Sequence, residues 1–317
     1  THLPEARAER RIAFVDEFVI VPKGVGAGES IELRDFQREI IRGAFADGIR
    51  TALVSVPRAN GKSALAAALA VAELFAGPAS AEVLVVASDQ RQANIVLRLA
   101  RRMIELNPLL AERTLIYADR LVVPETDSTM IALPADPAAL HGWDPSLLIV
   151  DELHVVTEPV WEAVTSMTGK RPESLTLAIS TPSTSPDCIM WRLVEHGRSG
   201  EDPAFYLREF SAPDGCTTED VKAWEIANPA LSCHRPFLTV DGMAAARRTL
   251  REPVFRQLRL GQWVTGVDQW LPFGLWSDLT DATRVIPDKA KVVLAFDGSA
   301  SGDSTALIGC TVGADPH

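Results

Sequence analysis

The period of the apolar positions changes several times along the chain, and each change predicts an element. Leu33, Phe36, Ile40, Ile41 and Phe45 recur at helical spacing and predict an amphipathic helix through LRDFQREII, with Phe36 on its buried stripe. Residues 51–56 (TALVSV) are a short unbroken apolar run, as expected of a strand covered on both faces. A turn, PRANGKS, then leads into an Ala/Leu-rich helix that reaches about Phe75 and is stopped by Gly77-Pro78. Residues 82–87 (EVLVVA) predict a second buried strand, followed by a helix to about Leu106, where Asn107-Pro108 breaks it. Short strands are expected at 114–116, 121–123 and 129–133, and two more buried ones at 146–150 (SLLIV) and 175–180 (LTLAIS). No internal repeat is visible. Strands alternating with helices predict an α/β fold: a central, mostly parallel sheet with helices on both faces.

After about residue 203 the texture changes. Charged helical stretches are broken by Pro213, Pro229, Pro236 and Pro253, and Trp224, Trp263, Trp270 and Trp276 fall here. The expected organisation is an α/β core over 1–210, a small helical subdomain over 211–260, a linker over 261–290 and a new strand pair over 291–317. That pair, KVVLAFDGSASGDSTALIGCTV, is two strands around a Gly/Ser turn. One hairpin does not make a stable sheet, so it reads as the first piece of a second α/β domain cut short at His317. The chain also lacks an initiator Met, as a processed or trimmed chain would.

Composition narrows the function. Hydrophobic residues are 47% of the 317 and charged residues 23%, which suits a packed globular protein and excludes a disordered one. No apolar run approaches the roughly 18 residues of a membrane span, and the polar start, THLPEARAER, is no secretory signal. The net charge is −11, from 31 basic and 42 acidic residues. A protein that holds DNA by bulk electrostatics is normally basic, so any contact with nucleic acid must be local, transient or shared with other subunits. Cys188, Cys216, Cys233 and Cys310 form no CxxC pair, which predicts free thiols rather than a zinc site or disulfide framework.

Two motifs carry chemistry. Residues 56–63, VPRANGKS, join a strand, a tight loop and a helix start, the parts of a phosphate-binding loop. The backbone N–H groups of Asn60, Gly61 and the helix start would hold phosphate oxygens. Lys62 would reach the β- and γ-phosphates, and Ser63 would ligate Mg²⁺. The usual pattern has Gly where this chain has Val56, so the motif is a deviant one. Residues 147–154, LLIVDELH, put Asp151 and Glu152 at the end of a buried strand, the edge where open α/β sheets bind ligands. Asp151 would hold Mg²⁺, and Glu152 would orient or deprotonate an attacking water. Ser180-Thr181-Pro182 ends the next buried strand, and Gln37 offers an amide that can meet an adenine edge.

In this order the motifs resemble the large terminase subunits of tailed bacteriophages, the ATP-driven motors that package DNA. The resemblance runs from about residue 33 to the end. It includes LRDFQREII, PRANGKS, HGWDPSLLIVDELH and GKRPESLTLAISTPS, then WEIANPAL, FRQLRLGQWV and VVLAFDGSASGDSTAL. WxxANPxL followed by FxxxxLxxW is its most family-specific part. The resemblance implies a P-loop ATPase core with ATP and Mg²⁺ as cofactors. It matches Gln37 to an adenine-contacting glutamine, Arg58 to a cis-acting arginine, and Ser180 and Thr181 to the motif that couples hydrolysis to subdomain movement. Asp297, and more weakly Asp303, match metal ligands of a ribonuclease-H-like nuclease that uses Mg²⁺ or Mn²⁺ in the full-length protein. It further implies double-stranded DNA, a portal and procapsid, and a small terminase subunit as partners. A ring of about five subunits would line a pore, which also suits an acidic chain. The setting would be the host cytoplasm, without a membrane. The stretch LPADPAALHGWDP lacks the arginine that some terminases place there to act on a neighbour's ATP; Arg101, Arg102 and Arg171 are alternatives, and His141 reads as a turn residue. Two other readings stand beside this one, a superfamily-two helicase and a non-catalytic ATP-binding scaffold.

Overall fold

The structure, a computed structural model, describes residues 3–140, 142–183, 188–264, 283, 285–298 and 305–312. The chain forms two compact units, Thr1–Gln269 and Trp270–His317.

The first unit is built on one sheet. In chain order its elements are α1 (Arg7–Phe18), α2 (Asp35–Ala44), β1 (Thr51–Ser55), α3 (Lys62–Ala76), β2 (Glu82–Val86), α4 (Gln90–Leu106) and α5 (Pro108–Ala111). The edge strands β3 (Leu115–Ile116), β4 (Arg120–Val123) and β5 (Ser128–Leu133) follow, then α6 (Pro137–Leu140), β6 (Leu147–Asp151) and a 3-10 turn, Leu153–Val155. The unit continues with α7 (Glu158–Met167), β7 (Leu175–Ser180), α8 (Ile189–Ser199) and β8 (Phe205–Glu209). The strand order is β3-β4-β5-β2-β6-β7-β1-β8. From β5 to β8 every pairing is parallel, and only β3 and β4 run antiparallel to their neighbours.

The unbroken apolar runs have the predicted cause. Along β6, Leu147 and Ile149 face the cluster under α1–α5, while Leu148 and Val150 face the cluster under α7 and α8. Both faces are dry, so alternation disappears from the sequence. Among the elements that the sequence did not mark, α1, α8 and β8 show the reason. α1 carries Arg7 and Arg11 on its buried side, which breaks the apolar stripe. α8 comes after Ser180-Thr181-Pro182, where the sequence reading ended its last helix-and-strand repeat. β8 is an edge strand of half-buried residues with the sequence FYLRE, so burial leaves no alternating pattern in it.

Four helices, α9 (Val221–Ala227), α10 (Pro229–Ser232), α11 (Val240–Thr249) and α12 (Glu252–Leu260), form a helical layer with its own core. Trp224, Met243, Phe255 and Leu260 fill that core. In the second unit, β9 (Val292–Asp297) and β10 (Ala306–Thr311) pair antiparallel, with Asp297 opposite Ala306. Trp270, Trp276, His141 and Asp303 lie outside the described residues. Among the described residues no helix is long and apolar enough to cross a membrane.

Candidate active site

β7 lies between β1 and β6, and all three run the same way. The residues that follow them therefore meet at one edge. β1 leads into the loop 56–61 and α3, β6 delivers Asp151 and Glu152, and β7 delivers Ser180 and Thr181. This is the carboxyl edge of a parallel sheet, where loops converge and the ladder no longer occupies the backbone.

The loop explains its own deviation. Val56 donates its N–H to the Ser180 carbonyl at 3.0 Å and buries its side chain in the core, so it prolongs β1 by one residue. A side chain there obstructs nothing, and no glycine is required. Glycine is required later, at Gly61, where φ is +78°. Ala59 is also left-handed, with φ +72°. Gly61 is the N-cap of α3, so the free N–H groups of the first turn open into the pocket.

Lys62 is buried and donates to the Val56 carbonyl at 3.2 Å. Burial lowers its pKa, against the pull of Glu152 and Asp151. Ser63 Oγ donates to Asp151 Oδ2 at 3.4 Å. Burial pushes the Asp151 carboxyl up to about 6, and the neighbouring Glu152 charge adds to the rise. For Glu152, burial is likewise the largest influence and pushes upward. The hydrogen bond from His154 and the charges of Lys62, His154 and Arg58 outweigh it, and the carboxyl sits at about 2. Glu152 has left-handed backbone, φ +54°, and its N–H donates to both Ile179 O and Asp151 Oδ1.

A polar relay surrounds Glu152. His154 Nδ1 lies 3.1 Å from Glu152 Oε2 and 3.0 Å from Ser180 Oγ. Thr181 Oγ1 donates to the same Oε2 at 3.3 Å, and Ser180 Oγ donates to Thr181 O. Sequence reasoning gave His154 no role. Its place as the second residue after an Asp-Glu pair at a strand end was the available signal, and the 3-10 turn is what folds the ring back onto Glu152.

The remaining expected residues divide. A cavity of about 800 Å³ is lined by Gln37, Arg58, Gly61, Lys62, Ser63 and Glu152, together with Phe237. Gln37 Oε1 accepts from Arg34 N at the start of α2, so its carbonyl is committed and its NH₂ is the end left for a ligand. Arg58 is exposed at the cavity. Asn60 was expected to offer its backbone N–H; its side chain is 3% exposed and bonds to Asn228 and Ala230. Of the alternative arginines, Arg101 donates to Tyr117 O and Ala118 O, Arg102 pairs with Glu105, and Arg171 pairs with Asp144. Asp297 is exposed at the end of β9. Among the described residues no group of three or more His, Cys, Asp or Glu is placed to hold a metal. The four cysteines are unpaired.

A strand, a phosphate loop with Gly-Lys-Ser, and an acidic strand end two strands away define the fold of P-loop nucleotide hydrolases. Residues 40–196 match the family described as the terminase large subunit, ATPase domain. It is 31% identical over 313 residues to the terminase large subunit of Enterobacteria phage HK97, covering 95% of this chain and 62% of that protein. The crystal structure of the HK97 large terminase superposes with a TM-score of 0.74 at 29% identity, over 98% of this chain and 66% of the other. The ATPase domain of the Thermus phage P74-26 large terminase shares the fold at 20% identity, with a TM-score of 0.53 over 74% of this chain and 94% of that domain. The large terminase of a second thermophilic bacteriophage, solved with ADP, shares it at 10% identity, with a TM-score of 0.55 over 89% of this chain and 66% of the other. The chain thus spans a little under two thirds of the full-length relatives it matches.

Proposed function

We propose that this chain is the ATP-hydrolysing motor part of a terminase, which drives viral double-stranded DNA into a procapsid. The observation that carries this reading is the meeting of Lys62, Ser63, Asp151 and Glu152 at one sheet edge, beside a cavity of about 800 Å³. The second thermophilic-phage relative has been solved with ADP and with ATP-γ-S, which supports a nucleotide as the ligand.

In the proposed reaction the phosphates lie on the N–H groups of Gly61 and the first turn of α3. Lys62 leaves the Val56 carbonyl for the β- and γ-phosphates, and Arg58 adds charge from the cavity wall. The Gln37 amide donates to the adenine edge. A hydroxyl and a carboxylate are hard oxygen donors of the kind Mg²⁺ prefers, and the buried Asp151 charge calls for a cation. Ser63 and Asp151 would hold Mg²⁺, which when bound neutralises charge on the phosphate oxygens. Glu152 takes its place opposite the γ-phosphate and orients the water. At about 2 its carboxylate is ionised but weakly basic, which suits phosphoryl transfer, where positioning and charge outweigh proton abstraction. Ser180 and Thr181, in contact with Glu152 and His154, couple hydrolysis to movement.

The same reading assigns the chain a portal, a procapsid and a small terminase subunit as partners, a ring as its working form and the host cytoplasm as its setting. Asp297 and Asp303 would serve a C-terminal nuclease. The test of the motor reading is phosphate release from ATP by the wild type and by Lys62→Ala, with and without duplex DNA. The wild type should turn over ATP and Lys62→Ala should fall to background. Equal rates would remove the phosphate loop from the reaction.

A further inference from the structure

The phosphate loop holds only part of its own shape, through Asn60 Nδ2 donating to Pro57 O at 3.2 Å. It contains two left-handed residues, Ala59 and Gly61, on either side of Asn60. A left-handed alanine is unfavourable in isolation and persists only where its surroundings impose it. Those surroundings come from the helical layer, with Asn228 168 residues away in sequence. Asn60 Nδ2 donates to Asn228 Oδ1 at 2.9 Å, and Asn60 Oδ1 accepts from Ala230 N at 3.1 Å. Asn228 is completely buried and is held from behind, its Nδ2 donating to Trp224 O and Arg259 O. Each amide is thus oriented by its own partners, and neither can flip without orphaning a buried group.

Two more contacts join the same layers. Arg58 N donates to Leu258 O near the end of α12 at 2.9 Å, and Gln257 Nε2 donates to Pro182 O at 2.9 Å. The turn that presents Ala230 also accepts the N–H of Phe237, whose ring would lie 3.5 Å from a Cβ on Gly61.

We infer that Asn228 is a positioning residue of the nucleotide site: through Asn60 it imposes on residues 57–61 the left-handed shape that binds phosphate. Asn228 does not line the cavity. The inference rests on the phosphate loop being the nucleotide site, but its first consequence is a property of the nucleotide-free protein. Without the clamp the loop samples other conformations, and nucleotide affinity falls by the fraction of time it is misshapen.

The experiment compares the wild type, Asn228→Ala, Asn60→Ala, the double variant and Met243→Ala. Met243 is fully buried in the core of the helical layer and shares no hydrogen bond with either amide, so Met243→Ala reports loss of stability. Two quantities are read: amide hydrogen exchange of the 57–63 segment without nucleotide, and the Kd of a fluorescent ATP analogue. Asn228→Ala and Asn60→Ala should each speed exchange in that segment and raise Kd about tenfold, with the double variant no worse than the weaker single one. Met243→Ala should lower the melting temperature and leave both readouts near wild type. Because Asn60→Ala also loses the bond to Pro57 O within the loop, Asn228→Ser carries the test if Asn228→Ala does not fold. Unchanged loop exchange in Asn60→Ala overturns the inference, as does a Kd shift in Met243→Ala equal to that of the amide variants. A wild type that binds no nucleotide while the amide variants loosen the loop overturns the site reading and not the clamp.

Discussion

Glu152 shows how much a single position depends on what touches it. Its burial favours the neutral acid, yet His154, Lys62 and Arg58 hold it ionised, while Asp151 next door is pushed the other way. Two adjacent carboxylates are thereby divided into a charged one and one poised near neutrality, a separation that suits different tasks. Glu152→Gln keeps the shape and removes the charge. Its turnover of ATP should fall by at least ~10² while nucleotide Kd stays near wild type, as steady-state kinetics and a binding titration would show. Asp151 gives a prediction about stability. Its folded pKa, about 6, lies above the ordinary aspartate value of 3.8, so the native state binds the proton more tightly. That contribution is complete below about pH 4 and is lost as pH rises through 6. In metal-free, nucleotide-free protein, Asp151→Asn should therefore be stabilising near pH 7.5, by up to about 3 kcal/mol. The gain should shrink as pH approaches 4. Urea unfolding at pH 7.5, 5.5 and 4 measures it, and a variant less stable than wild type at pH 7.5 would contradict the assignment.

At the scale of elements, α3 shows how the fold carries the site. Its sequence, KSALAAALAVAELFA, is buried nearly all round, because small alanines let it lie between the sheet and α1 and α4. Beyond the site lysine, one more charge sits inside that packing: Glu73, 1% exposed, pairs with Arg11 of α1, 0% exposed. Arg11 Nη1 also donates to Arg7 O, and its guanidinium lies over the Phe45 ring at 4.6 Å. Removing one partner leaves a buried charge unpaired. Glu73→Ala should cost about 3–5 kcal/mol, whereas Arg11→Met with Glu73→Leu should unfold within about 1 kcal/mol of wild type. Equal losses in the two variants would mean that packing, and not the orphaned charge, sets the cost. This pair is also why α1 was not legible. A buried arginine reads as a polar position, and its partner stands 62 residues away.

Across the whole molecule, charge and layering decide what the chain can do alone. With a net charge of −11, it has no bulk attraction for a polyanion. The second unit presents Asp297 on an exposed hairpin, and the described residues offer no metal-holding group of three. A two-metal nuclease needs several carboxylates fixed together. Plasmid DNA incubated with this chain in Mg²⁺ or Mn²⁺ should stay supercoiled while ATP turnover persists. Nicking that vanishes in Asp297→Ala would show that the hairpin suffices.

The succession of buried strands along the chain, the phosphate loop and the acidic strand end were all determined by the sequence alone. Each is a local signal: an apolar run covered on both faces, a Gly-Lys-Ser turn before a helix, two carboxylates after a core strand. Tertiary structure decided the rest. That β7 lies between β1 and β6 is a matter of strand order, and it brings Thr181 onto Glu152. His154 became part of the site because a 3-10 turn folded it back. Asn60 stands in the phosphate motif, yet its side chain serves Asn228, 168 residues away. A hydrogen bond needs its partners within about 3 Å in space and is indifferent to their distance along the chain, so no period or motif could announce it.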